Sequence, residues 1–132
     1  IRLCHEFIAD TDILKVSEEE AMMIAGKDTV QKSAQKLHES GASLVLVTLG
    51  GAGTLISYQN TVEIIGSINI ESIDSTGAGD AFIGAMLFQI ASAGNMPSVA
   101  TAIEMVRFAN KVGALTCTKL GAIQALPFLS EV

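Results

Sequence analysis

The residues best placed for chemistry are Asp74-Ser75-Thr76-Gly77-Ala78-Gly79-Asp80, which set two glycines and an alanine between two carboxylates. Glycine reaches backbone conformations closed to larger residues, so successive N–H groups in such a turn can point into one concavity. The apolar run from Ala81 to Met86 reads as a helix opening at Asp80, and the turn before it as the end of a strand. A helix start adds unpaired N–H groups and the positive end of its dipole. Together these features predict an anion site with phosphate as its occupant. Asp80 puts a negative charge where the anion should lie. Two roles are open to it: a first-turn helix cap, or a base that takes a proton from a hydroxyl attacking the phosphate.

A second glycine turn, Thr48-Leu49-Gly50-Gly51-Ala52-Gly53, follows the strand-like run Leu44–Val47. It lacks the G-K-[ST] ending of a P-loop and does not match G-x-G-x-x-G, so on its own it reads as a strand-to-strand turn. Ser17 followed by Glu20 is a capping-box pattern, and Glu18 and Glu19 read as a solvated first turn. Asp74 suits an Asx-type turn bond. His5 and His38 have no carboxylate or cysteine neighbours that would suggest a metal site, and read as surface or packing residues.

The elements that must position these groups follow in order. Asp12–Val16 is of strand length, and Ser17 caps a helix that Gly26 ends. A second helix starts after Asp28-Thr29 with Val30, Ala34 and Leu37 on one face and runs to Ser40-Gly41. Leu44–Val47 is apolar throughout, as in a strand covered on both faces. Thr54–Tyr58 and Val62–Ile65 read as an antiparallel pair turned at Gln59-Asn60, and Ile68, Ile70 and Ile73 lead into the glycine motif. The helix after Asp80 runs to about Ala93. Ser98 caps another, with Val99, Ala102, Ile103, Val106 and Ala109 in a helical stripe, which reaches Cys117 itself or through a close successor. Lys119–Ala122 is a turn. Strands alternating with helices make this an α/β layered fold, one domain or a piece of one, without internal repeats.

The totals agree with a folded α/β chain. It has 132 residues, 49% of them hydrophobic, and a mean hydropathy of +0.47. The net charge of −6 argues against nucleic acid or an anionic membrane surface as partner. No apolar run approaches the ~18 residues of a membrane span. Cys4 and Cys117 stand far apart without CxxC spacing, which suggests free thiols in a reducing, cytoplasmic setting. The chain starts at Ile1 with no signal-peptide pattern, which reads as a cut edge of something longer.

Asp-Ser-Thr-Gly-Ala-Gly-Asp at 74–80 closely resembles the D-T-x-G-A-G-D signature of the ribokinase-like (PfkB-type) sugar kinases. The resemblance implies a three-layer α/β/α sandwich, of which residues 1–132 would be the C-terminal, nucleotide-binding portion. It also implies phosphoryl transfer from ATP to a sugar hydroxyl, with Asp80 as the base and the N–H groups of Gly77, Ala78 and Gly79 stabilising charge on the transferred group. Thr48, Gly50 and Gly53 match the family's T-x-G-x-x-G nucleotide loop, and Asn110 lies where the family has an asparagine near adenine. Glu20 matches the glutamate of N-x-x-E, which orders Mg²⁺ through water. Ser17 replaces that motif's asparagine, as in fructokinase-like members with a K-[VL]-S-x-E-E stretch. Asp74, Thr76, Thr116, Lys119 and Gly121 fall at positions whose oxygens hold a monovalent cation, K⁺, in the family.

The match runs from Asp12 to Ala122 and covers only the C-terminal part of a family member; the part carrying the lid and most sugar contacts lies outside it. A fructokinase-like enzyme is the leading expectation, with 2-keto-3-deoxygluconate and ribose as other acceptors. A non-catalytic nucleotide-binding or interaction module is the reading from another class. Apolar faces left by the missing part would favour association of the isolated chain with further copies of itself.

Overall fold

A computed structural model describes residues 2–132. They cluster into two compact units: one holds the chain up to Gly50 together with Thr54–Ile65, the other Gly51–Gly53 and Gly66–Val132.

The first unit is built on a four-stranded sheet in the order β1 (Ile13–Ser17), β2 (Leu44–Thr48), β3 (Thr54–Tyr58), β4 (Thr61–Ile65). β1 and β2 are parallel, with Ser17 opposite Thr48, and the other two pairings are antiparallel. Parallel neighbours need a crossover, supplied here by α2 (Glu18–Ala25) and α3 (Val30–Glu39). Ser17 and Glu20 form the expected capping box, Gly26 ends α2 in the left-handed region at φ 62°, and Thr29 caps α3. Val30, Ala34 and Leu37 of α3 are buried in one cluster with Val16, Ala21, Val45, Val47 and Leu55. Leu37 is fully enclosed, so truncating it to alanine would cost about 2–5 kcal/mol. The hairpin turns at Gln59-Asn60 as expected, with Gln59 at φ 51°. One helix was not foreseen: α1 (Arg2–Ile8), which buries only Ile8.

The second unit centres on two packed helices, α4 (Ala78–Ala93) and α5 (Val99–Thr116). Phe82, Ala85 and Met86 are buried on α4, and Ala102, Met105, Val106 and Ala109 on α5. Gln89 Nε2 donates across to the Met105 carbonyl at 3.1 Å. Ser98 caps α5, accepting from the Thr101 N–H, and α5 runs unbroken to Thr116.

Two expectations are corrected here. The segment before the glycine motif is not a strand: residues 66–74 are irregular, and Ile68 and Ile73 are exposed. The chain is fixed instead by the N–H groups of Ile73 and Asp74, which both donate to the Cys117 carbonyl, at 2.8 and 3.2 Å. Helix α4 also opens two residues before Asp80, because Gly77 in the left-handed region serves as its N-cap.

Candidate functional site

Gly77 lies at φ 81°, ψ −2°, and no side chain caps α4. A Cβ at Gly77 would sit 2.8 Å from the Ala122 Cβ, so both the backbone angle and the space require glycine here. The first bond of the helix runs from the Ala81 N–H to the Gly77 carbonyl at 2.8 Å, and the Ala78 N–H donates back to the Ser75 carbonyl at 3.2 Å. Gly79 and Asp80 therefore carry first-turn N–H groups that the helix geometry leaves without an intrahelical acceptor. Asp80 is the third helical residue and is exposed.

Asp74 ties this turn to the chain beyond α5. Its Oδ1 accepts from the Thr76 N–H at 2.9 Å and its Oδ2 from the Gly121 N–H at 2.9 Å. The Thr76 hydroxyl, followed by the Gly121 and Thr76 N–H groups, holds the Asp74 carboxyl below the usual carboxylate range. The expected cation-site residues Asp74, Thr76 and Gly121 are thus brought together. Thr116 is buried at the end of α5 with its hydroxyl donating to the Val112 carbonyl. Lys119 lies in the same turn, its Nζ 3.7 Å from Glu131 Oε1. The partners of the Asp74 carboxylate in this structure are hydrogen-bond donors; carboxylate and hydroxyl oxygens are the donor types that suit a hard cation.

Asn110 is buried rather than on the helix surface, and its Nδ2 donates to the Gly66 carbonyl at 3.3 Å. A cavity of about 630 Å³ borders Gly77 and Asp80 and is walled by Phe88, Phe108, Ile123 and Leu129. Among the residues lining it, Asp80 alone brings a polar side chain.

In the first unit, Ser17 and Thr48 face each other at the carboxyl ends of the parallel strands β1 and β2, the edge where ligands bind in α/β sheets. The Thr48 hydroxyl donates to the Val16 carbonyl at 3.4 Å. Gly50 follows at φ 57° and opens a short 3₁₀ turn over Gly50–Ala52; Gly53 ends the loop at φ 106°. Glu20 accepts the Ser17 N–H on Oε2 at 2.8 Å. That bond, chiefly, holds its carboxyl below the usual range, so Glu20 is charged at neutral pH and retains oxygen lone pairs for a hydrated cation. Among the described residues no group of three or more His, Cys, Asp or Glu could hold a metal, so Mg²⁺ at Glu20 fits only as an ion carried largely by water and phosphate oxygens. Cys4 and Cys117 are free thiols, and among the described residues no helix is long and apolar enough to cross a membrane.

Two residues at the glycine turn escaped the sequence reading: Ala122, which abuts Gly77, and Gly113 of α5, where a Cβ would meet the Ala78 carbonyl at 3.1 Å. A glycine inside a helical stripe was the one available signal.

Comparison with known proteins gives a consistent picture. The family model described as "pfkB family carbohydrate kinase" matches residues 2–129. The chain is 40% identical over 123 residues to probable fructokinase-4 of Arabidopsis thaliana, covering 92% of this chain and 38% of that one. Among solved structures it is similar to a double mutant of fructokinase from Vibrio cholerae O395 in fructose, ADP and potassium ion bound form, with 35% identity, a TM-score of 0.89, and 96% and 41% of the two chains covered. It is similar also to aminoimidazole riboside kinase from Salmonella enterica, complexed with aminoimidazole riboside and an ATP analog, with 32% identity, a TM-score of 0.90, and 98% and 43% covered. The fold is that of ribokinase-like kinases, as the sequence implied. The chain spans about two fifths of the length of these relatives.

Proposed function

This chain belongs to the pfkB family of carbohydrate kinases, and from that premise we propose that it forms the nucleotide-side portion of an ATP-dependent sugar kinase with fructose as acceptor. The observation that carries the reading is the start of α4, where Asp80 stands in a first turn without a side-chain cap, after the left-handed Gly77. In a relative, fructose and ADP are bound together, and fructokinases recur among the relatives.

Asp80 accepts the proton of the attacking sugar hydroxyl as its oxygen closes on the γ-phosphorus, and the bond from that phosphorus to the β–γ bridging oxygen breaks to release ADP. Gly77, Ala78 and Gly79 hold the charge of the transferred group on their N–H groups, with Ala78 sharing its proton with the Ser75 carbonyl. Thr48, Gly50 and Gly53 approach the nucleotide phosphates, and Glu20 orients the water shell of Mg²⁺. The ion, when bound, neutralises phosphate charge. Asp74, Thr76, Thr116, Lys119 and Gly121 hold K⁺ beside the glycine turn. Asn110, whose Nδ2 also donates to the Gly66 carbonyl, stands beside adenine. The free thiols suit a reducing cytoplasm.

Sugar-dependent ADP release by the full-length protein, over a panel of fructose, ribose and 2-keto-3-deoxygluconate with Mg²⁺ and K⁺, tests the reading. Turnover confined to fructose is expected. Turnover with another sugar corrects the acceptor, and nucleotide binding without any turnover would mark a non-catalytic module.

A further inference from the structure

The glycine turn is seated between two neighbours that the chemistry above does not use. On one side Ala122 lies so close to Gly77 that a Cβ there would come within 2.8 Å of the Ala122 methyl. On the other, α5 crosses the first turn of α4 at Gly113: a Cβ on Gly113 would be 3.1 Å from the Ala78 carbonyl oxygen and 3.7 Å from Phe82 Cβ. Gly113 is buried inside an eighteen-residue helix, where glycine is a poor helix former and alanine would serve the helix better. The helix therefore gains nothing locally from glycine at this position. What glycine allows is close approach of α5 to the carbonyl of Ala78, one residue into the turn whose N–H groups face the anion.

We propose that Gly113 is a positioning residue for the anion-binding turn. By admitting the Ala78 carbonyl at van der Waals distance, it sets how far Ala78, Gly79 and Asp80 stand from the axis of α5, with Ala122 a second close neighbour at Gly77. This rests on the kinase reading, in which those residues face the transferred phosphoryl group. A methyl at 3.1 Å from a carbonyl oxygen requires a shift of a few tenths of an ångström. Gly113 lies in a helix interior and Ala78 in a helix start, so the rigid bodies move and the turn moves with them.

Misplacement of reacting groups by about 1 Å can cost on the order of 10²-fold in rate, so Gly113→Ala in the full-length protein should lower kcat about fivefold. KM for the nucleotide should stay within about twofold, and the melting temperature should hold or rise, since alanine favours the helix. A purely structural role would instead move stability together with activity. The crystal structure of the variant should show the Ala78 carbonyl displaced away from α5. Ala122→Gly, which loosens the other seat without adding an atom, should also lower kcat at near-constant KM. Unchanged kcat in Gly113→Ala, whatever Ala122→Gly does, or a kcat loss that merely follows a falling melting temperature, would overturn the proposal. If the parent protein phosphorylates no sugar, the kinase reading fails by itself, and an undisplaced turn in the Gly113→Ala crystal structure then overturns the positioning role independently.

Discussion

Asp74 Oδ2 accepts a 2.9 Å hydrogen bond from the N–H of Gly121, a residue 47 positions further along the chain. The other carboxylate oxygen is engaged by the Thr76 N–H, so one side chain joins the loop before α4 to the turn after α5. The Ile73 and Asp74 N–H groups on the Cys117 carbonyl reinforce the same junction. The turn that begins α4 is thus held from behind by groups on the far end of α5.

Asp74→Asn keeps the size of the side chain but replaces one acceptor oxygen with a donor that faces an N–H. The variant should lose activity about tenfold or more in the full-length protein, because the turn loses a charge-assisted tether. Steady-state kinetics beside a thermal melt check this; full activity would show that Asp74 does not hold the turn.

The same carboxylate predicts a pH dependence. Its pKa is lowered in the fold, so ionised Asp74 contributes stability that is fully present above the unfolded aspartate value of about 3.9. That contribution is lost as pH falls through the still lower folded value. The melting temperature of the full-length protein should therefore fall less steeply below about pH 4 in Asp74→Asn than in the parent. Parallel profiles would contradict the assignment.

Ser17 and Glu20 can be separated. Ser17→Ala removes the acceptor for the Glu20 N–H and should cost about 1 kcal/mol in a denaturant titration. Glu20→Gln keeps an acceptor for the Ser17 N–H but removes the charge, so stability should change little while the Mg²⁺ concentration for half-maximal activity rises several-fold. An unchanged Mg²⁺ requirement would reduce Glu20 to a helix cap.

Gly77→Ala places a methyl at φ 81° and against Ala122. A cost of about 1–3 kcal/mol in unfolding free energy is expected from the backbone alone, with activity lost in the folded fraction as well. Wild-type stability in a denaturant melt would show that the turn tolerates a side chain.

Most of the framework was legible because its signals are local. Ser17, Thr29 and Ser98 announce helix starts by side-chain capping, Gly26 and Gly94 announce ends, and the apolar Leu44–Val47 run marks the most buried strand. The failures have equally physical causes. Helix α1 buries a single residue, Ile8, so nothing periodic advertises it. The isoleucines at 68, 70 and 73 imitate a strand, although the segment takes its bonds from Cys117. The sequence points to Asp80 rather than Ala78 as the start of α4, because Gly77 caps the helix by backbone conformation rather than by a side chain. At the site, the residue types of the glycine turn were readable, whereas the Asp74–Gly121 tie and the approach of Gly113 to Ala78 join residues distant in sequence and leave no local pattern.

The central claim is that Asp80 takes the proton from the acceptor hydroxyl, and Asp80→Asn in the full-length protein tests it most directly. Loss of a positioned base should lower kcat for sugar phosphorylation by about 10²–10⁴-fold, while nucleotide affinity measured by calorimetry stays within about threefold of the parent. Turnover close to the parent's in Asp80→Asn would contradict the account.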